Sequence, residues 1–134
     1  MLFRSVGTVG HSDADALIHA IIDAMLGASA LGDIGEHFPP SDPGYRGISS
    51  IILLEKTASL VADSGFAINN LDAVIILQKP ALSPYKQKIR TALATLLRLA
   101  PEQVNIKAKT KEGVDAAGEG RAVEAYAVVL LEKS

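Results

Sequence analysis

The feature that most constrains the fold is a stripe of apolar residues at Leu17, Ile18, Ile21, Ile22, Met25 and Leu26. Their three- and four-residue spacing puts them on one side of a helix predicted from about Asp13 to Ser29. A stripe this apolar must be covered by another layer. Downstream, a second helix is predicted from about Ile48 to Ser64, with Ile51, Ile52, Leu54, Leu60 and Val61 inward and Gly65 as its C-terminal stop. Leu71 to Gln78 reads as a strand buried on both faces, and Ser83-Pro84 opens a third helix that runs through Leu99. Val104, Ile106 and Ala108 alternate with Asn105, Lys107 and Lys109, the period of a strand from Val104 to Thr110. Val123 to Leu131 reads as the last strand. The order helix, helix, strand, helix, strand, strand predicts an α+β fold of two layers, with helices packed on one face of a mixed β-sheet. No repeat or second domain interrupts residues 1–134, which read as one domain.

Composition narrows the function. Apolar residues make up 49% of the chain, enough for a sizeable core, but aromatic residues are only 4%, too few for a base-stacking surface. A net charge of −2 lacks the basic stripe that a nucleic-acid backbone requires. With no cysteine, disulfides and thiolate metal sites are excluded, so any metal must be held by His, Asp or Glu. No apolar run approaches the about eighteen residues of a membrane span. No targeting segment is visible, so the expected compartment is the cytoplasm, or the plastid if the source is a plant or alga.

Polar residues that folding does not require gather in four places. Two histidines and two aspartates fall within His11-Ser12-Asp13-Ala14-Asp15-Ala16-Leu17-Ile18-His19, after a short extended lead from Val6 to Gly10. Ser12 is expected to cap the helix, with Asp15 returning a bond as in a capping box. The helix mouth would then receive an anion at His11 and Ser12, with His19 two turns inside. A blander reading makes Asp13 and Asp15 first-turn acids and His19 an ordinary helical histidine. The loop from Gly32 to Gly47, holding Asp33, Ile34, Gly35, Phe38, Pro39, Pro40, Asp42 and Pro43, is too long for a mere connector. Leu77-Gln78-Lys79-Pro80-Ala81-Leu82-Ser83 leaves a strand and turns sharply into a helix, leaving backbone groups free to read a base edge. Lys107, Lys109, Thr110, Lys111 and Glu112 end an alternating strand with charges suited to a phosphate and a divalent cation.

Together these motifs strongly resemble the 2-C-methyl-D-erythritol 2,4-cyclodiphosphate synthases of the non-mevalonate isoprenoid pathway. The likeness runs from about Gly10 to the C-terminus, through His-Ser-Asp-Ala-Asp-Ala-Leu-Ile-His, Leu-Gly-Asp-Ile-Gly, Asn70-Leu71-Asp72, Gln78-Lys79-Pro80, Asn105 to Glu112 and Gly118-Glu119-Gly120. The resemblance implies a lyase that converts 4-diphosphocytidyl-2-C-methyl-D-erythritol 2-phosphate to the cyclic diphosphate and releases CMP. It also implies zinc, a second cation (magnesium or manganese), and a homotrimer with sites between subunits. His19 would be a zinc ligand. His11 and Ser12 would contact phosphate, with His11 supporting the transition state. Asp33, Ile34 and Gly35 would hold the methylerythritol portion, helped by the loop from Phe38 to Asp42. Leu77, Gln78, Lys79, Pro80, Ala81, Leu82 and Ser83 would form the cytosine pocket. Lys109, Thr110 and Glu112 would lie near the diphosphate, Thr110 assisting the transition state and Glu112 binding the second cation.

Two departures stand against that pattern. The family's zinc site also takes an Asp-x-His pair from a first strand, and no such pair lies among the ten residues before His11. By this comparison the family's first strand and hairpin are absent. One alternative is therefore a non-catalytic trimer that binds a cytidine nucleotide or an isoprenoid diphosphate. Another is a piece of a bifunctional chain with an upstream cytidylyltransferase. Gly113 to Ala117 is shorter than in many members and resembles the variant of plant and some bacterial ones; Ala116 and Ala117 are given no substrate role.

Overall fold

The computed structural model describes the backbone of residues 7–39, 41–42, 44, 49–77, 86–110 and 124–134, and their side chains except those of 7–13, 77 and 110. Helix α1 spans Gly7–Ala28, the single-turn α2 Ile34–His37 and α3 Ser50–Asp63. Strand β1 (Phe66–Leu77), helix α4 (Lys86–Leu97), a 3-10 turn (Pro101–Gln103), β2 (Val104–Thr110) and β3 (Glu124–Lys133) complete the order. The sheet runs β2-β1-β3, with β1 and β2 parallel and β3 antiparallel to β1. A parallel pair needs a crossover, and α4 supplies it. The expected mixed sheet with helices on one face is what the chain forms.

The core lies between the helices and one side of that sheet. Ala14, Leu17, Ile18, Ile21, Ile22, Met25 and Leu26 of α1 are buried, as the periodicity requires. They pack chiefly over β3 and against α3, while α4 covers β2. Leu71, Ala73 and Ile75 of β1 meet them beside Val104 and Ile106 of β2. Replacing Ile21 by alanine is expected to cost about 2–5 kcal/mol, the usual penalty for emptying a closed core site. Denaturant unfolding measures it, and a loss below about 1 kcal/mol would mean that α1 does not pack as described.

Several boundaries differ from expectation. Residues 7–13 are helical, so the extended lead and the Ser12 cap are overturned: α1 begins at Gly7, and no acid lies in its first turn. Continuing the helix upstream gives the backbone N–H groups around Ser12 carbonyl partners, leaving nothing there for a cap to satisfy. The second helix starts at Ser50, where the Ser49 hydroxyl accepts from the Ile51 N–H at 3.2 Å. Gly65 ends that segment at φ +90°, as its position suggested. Strand β1 starts earlier than expected, at Phe66, with an irregularity between Ile68 and Asn70 where it pairs β3. The Ser83-Pro84 helix opening lies outside the described residues.

Strand β1 is also not buried on both faces. Asp72, Val74 and Ile76 alternate with its buried residues and are only half-covered, because the helices among the described residues lie on the other side. Beside them Tyr126, Val128 and Leu130 of β3 are 58%, 72% and 58% exposed. No helix among the described residues is long and apolar enough to cross a membrane.

Candidate functional site

One side of α1 carries Asp15, His19 and Asp23, four residues apart and therefore stacked along the helix. His19 and Asp23 are exposed and Asp15 is half-buried. Asp23 Oδ1 accepts the Ile34 N–H at 2.8 Å, which seats the turn Asp33-Ile34-Gly35 against α1 one helical turn from His19. The turn is stiffened from within, since Asp33 caps α2 by accepting the Glu36 N–H at 3.0 Å. Gly32 enters it at φ +94°, and a Cβ there would run into the Glu36 carboxylate. His37 Nε2 donates to the Leu31 carbonyl at 2.5 Å, and Phe38 is buried in the core. At the far end of the loop, the Ser50 hydroxyl donates to Asp15 Oδ1 at 2.5 Å. Asp42 is exposed and accepts the Gly44 N–H at 2.8 Å.

A second locus is the edge where the parallel strands end. Leu77 and Thr110, far apart in sequence, are paired in the β1–β2 ladder, with Ile76 opposite Lys109. Glu124, the first residue of β3, pairs with Ile76 from the other side. Carboxyl ends of parallel strands are favoured ligand positions because their terminal backbone groups and the following loops face open space. Lys109 is exposed near that edge. Further back, Lys107 is engaged: its Nζ lies 2.9 Å from Asp72 Oδ2, while Asn105 Nδ2 donates to Asp72 Oδ1 at 3.1 Å. The Lys107 and Asn105 hydrogen bonds hold the Asp72 carboxyl below its ordinary pKa.

The fold thus brings His19 together with the Asp33–Gly35 turn, and Leu77 together with Lys109 and Thr110. The side chains of His11, Ser12, Leu77 and Thr110, and all of Gln78 to Ser83 and Glu112, lie outside those described. No group of three His, Cys, Asp or Glu side chains able to hold a metal occurs among the described residues. His19 contributes one imidazole, and its neighbours Asp15 and Asp23 each accept a hydrogen bond. The three do not come together as a metal-holding group, so the described residues alone do not make the three-ligand site that zinc chemistry needs. Sequence reasoning missed Asp23 and Ser50. The four-residue spacing of Asp15 and Asp23 about His19 was the available signal.

The family model described as the YgbB family matches residues 2–132. The 2-C-methyl-D-erythritol 2,4-cyclodiphosphate synthase of Desulforamulus reducens is 52% identical over 127 residues, which are 95% of this chain and 81% of that protein. The bifunctional IspDF of Campylobacter jejuni superposes with a TM-score of 0.84 at 33% identity over 89% of this chain, which spans 32% of that longer one. A CDP-bound 2C-methyl-D-erythritol-2,4-cyclodiphosphate synthase gives 0.78 at 37% identity, covering 86% of this chain and 74% of its own. With strand ends, helix and turn arranged as described and the match running through nearly all 134 residues, the chain belongs to the YgbB family, that of the 2-C-methyl-D-erythritol 2,4-cyclodiphosphate synthases.

Proposed function

We propose that this protein cyclises 4-diphosphocytidyl-2-C-methyl-D-erythritol 2-phosphate to 2-C-methyl-D-erythritol 2,4-cyclodiphosphate and releases CMP. The observation that carries the reading is the family match over residues 2–132. An oxygen of the 2-phosphate bonds to the diphosphate phosphorus nearer the methylerythritol. The bond from that phosphorus to the bridging oxygen breaks, and CMP leaves with that oxygen and the electron pair. No water enters, so the task is to position polyanions and offset their repulsion.

Each locus has a part in this. The Leu77 to Ser83 segment takes the cytosine, with Lys109 and Thr110 by the diphosphate; a relative with CDP bound supports a nucleotide ligand. Asp33, Ile34 and Gly35 hold the polyol, with Asp42 in the loop beyond them, while His11 and Ser12 meet phosphate. Phe38, being buried, acts by fixing the root of that loop. His19 is assigned to zinc, with further ligands outside the described residues, and Glu112 to magnesium or manganese. Such cations supply positive charge beside the phosphates when bound.

The working unit is proposed to be a homotrimer with sites between subunits, which would cover the open sheet face of Tyr126, Val128 and Leu130. The cytoplasm is the proposed compartment.

CMP release from the 2-phosphorylated substrate, with none from the same compound lacking the 2-phosphate, tests the reaction. Release from both would indicate simple hydrolysis. Lys109→Glu is expected to weaken CDP binding by about tenfold, a like-charge effect of about 1–2 kcal/mol in a partly screened site. Calorimetry showing unchanged affinity would remove Lys109 from the phosphate site.

A further inference from the structure

We propose that Asp23 is a positioning residue for the polyol end of the substrate, fixing the Asp33-Ile34-Gly35 turn at a set distance from His19. The proposal rests on the reading of that turn as the polyol site. Asp23 lies one helical turn beyond His19, and its Oδ1 accepts the Ile34 N–H at 2.8 Å, across eleven residues of sequence. The turn's other bonds are internal to it: Asp33 caps α2, and His37 ties back to Leu31. Those bonds set the shape of the turn, and the Leu31 N–H, donating to the Leu26 carbonyl at 2.8 Å, holds the chain before it only to the end of α1. Among the described residues, the Asp23 bond is the hydrogen bond from the turn to the helix that carries His19. The side-chain bond from Asp15 to Ser50 does the same at the other end of the loop, one turn on the opposite side of His19. The two acids therefore bracket His19 and anchor the segment between residues 34 and 50 at both ends. Asp23 is exposed, so the bond is not needed to fill the core; its consequence is registration between two parts of one site. Misplacing a reacting group by about 1 Å can cost about a hundredfold in rate.

The test compares Asp23→Ala, Asp23→Leu and Asp23→Asn. The first two remove the acceptor; Asn keeps a side-chain oxygen that can take the Ile34 N–H. For Ala and Leu, kcat/KM for CMP release is expected to fall by about ten- to a hundredfold. CDP affinity and melting temperature should stay unchanged, and the Ile34 amide should exchange faster with solvent. Asn should restore most of the activity and the slow exchange. Unchanged kcat/KM in Asp23→Ala, a parallel loss of CDP affinity, or an Asn variant as impaired as Ala would each overturn the proposal. If the unsubstituted protein releases no CMP, the cyclase reading fails separately. Ile34 exchange still decides the clamp, and unchanged exchange in Asp23→Ala overturns it.

Discussion

In a chain extended upstream by the family's Asp-x-His strand, replacing His19 by alanine is expected to abolish retention of zinc and to lower CMP release by at least about a hundredfold, with stability unchanged. A neutral imidazole is a principal zinc donor, and removing one from a set of three protein ligands leaves a site that loses its metal. Two phosphates brought together repel by about 1–4 kcal/mol at 4 Å between water-like and surface-like dielectrics, so charge withdrawn from beside them bears directly on the barrier. His19 is exposed on the side of α1 away from the Leu17–Leu26 stripe. Its loss leaves no cavity, and substitutions at such surface positions stay within about 0.5 kcal/mol. Zinc per chain, melting temperature and CMP release on the same preparation check all three. Unaltered zinc content would place the metal elsewhere.

Val128→Asp should dissociate the proposed trimer into folded monomers. Val128 is 72% exposed at the middle of the outer β3 row, between Tyr126 and Leu130, and Val74 pairs with Tyr126 on the neighbouring strand. This exposed apolar row is bordered by Asp72 opposite Val128 and Asn70 opposite Leu130, and a row of this kind is what an interface between subunits would bury. An unpaired carboxylate buried there costs several kcal/mol or about that much again to neutralise, and symmetry repeats it three times. The helices and core lie on the opposite side of the sheet, so the monomer should keep its fold. Sedimentation together with circular dichroism reads both outcomes. A persisting trimer would show that another face mediates assembly.

The sequence revealed elements whose pattern is repeated several times along one face. The α1 stripe and the strict alternation of β2 each offer several matching positions, and both lie where they were expected. Where the sequence offers a short run, it is ambiguous. Val74-Ile75-Ile76 reads equally as a strand buried on both sides or as one with a half-covered outer face. Nothing local reveals that the described helices lie on one side. The early start of β1 was hidden because Asn69 and Asn70 interrupt the apolar run beside a bulge. The Ser12 cap failed because a good capping residue does not stop a helix that can propagate past it. For the candidate site, His19 and the Asp33–Gly35 motif stand out in the sequence, but the Asp23–Ile34 bond that seats the motif beside His19 does not. The pairing of Leu77 with Thr110 depends on strand register, which is set by tertiary packing.

An intramolecular phosphoryl transfer is tested most directly by phosphorus NMR of the reaction run in ¹⁸O-labelled water. Cyclisation predicts two mutually coupled ring phosphorus resonances appearing in step with CMP, with no ¹⁸O shift on either ring phosphorus or on CMP. Linear phosphates carrying ¹⁸O, or CMP released without the ring, would contradict it.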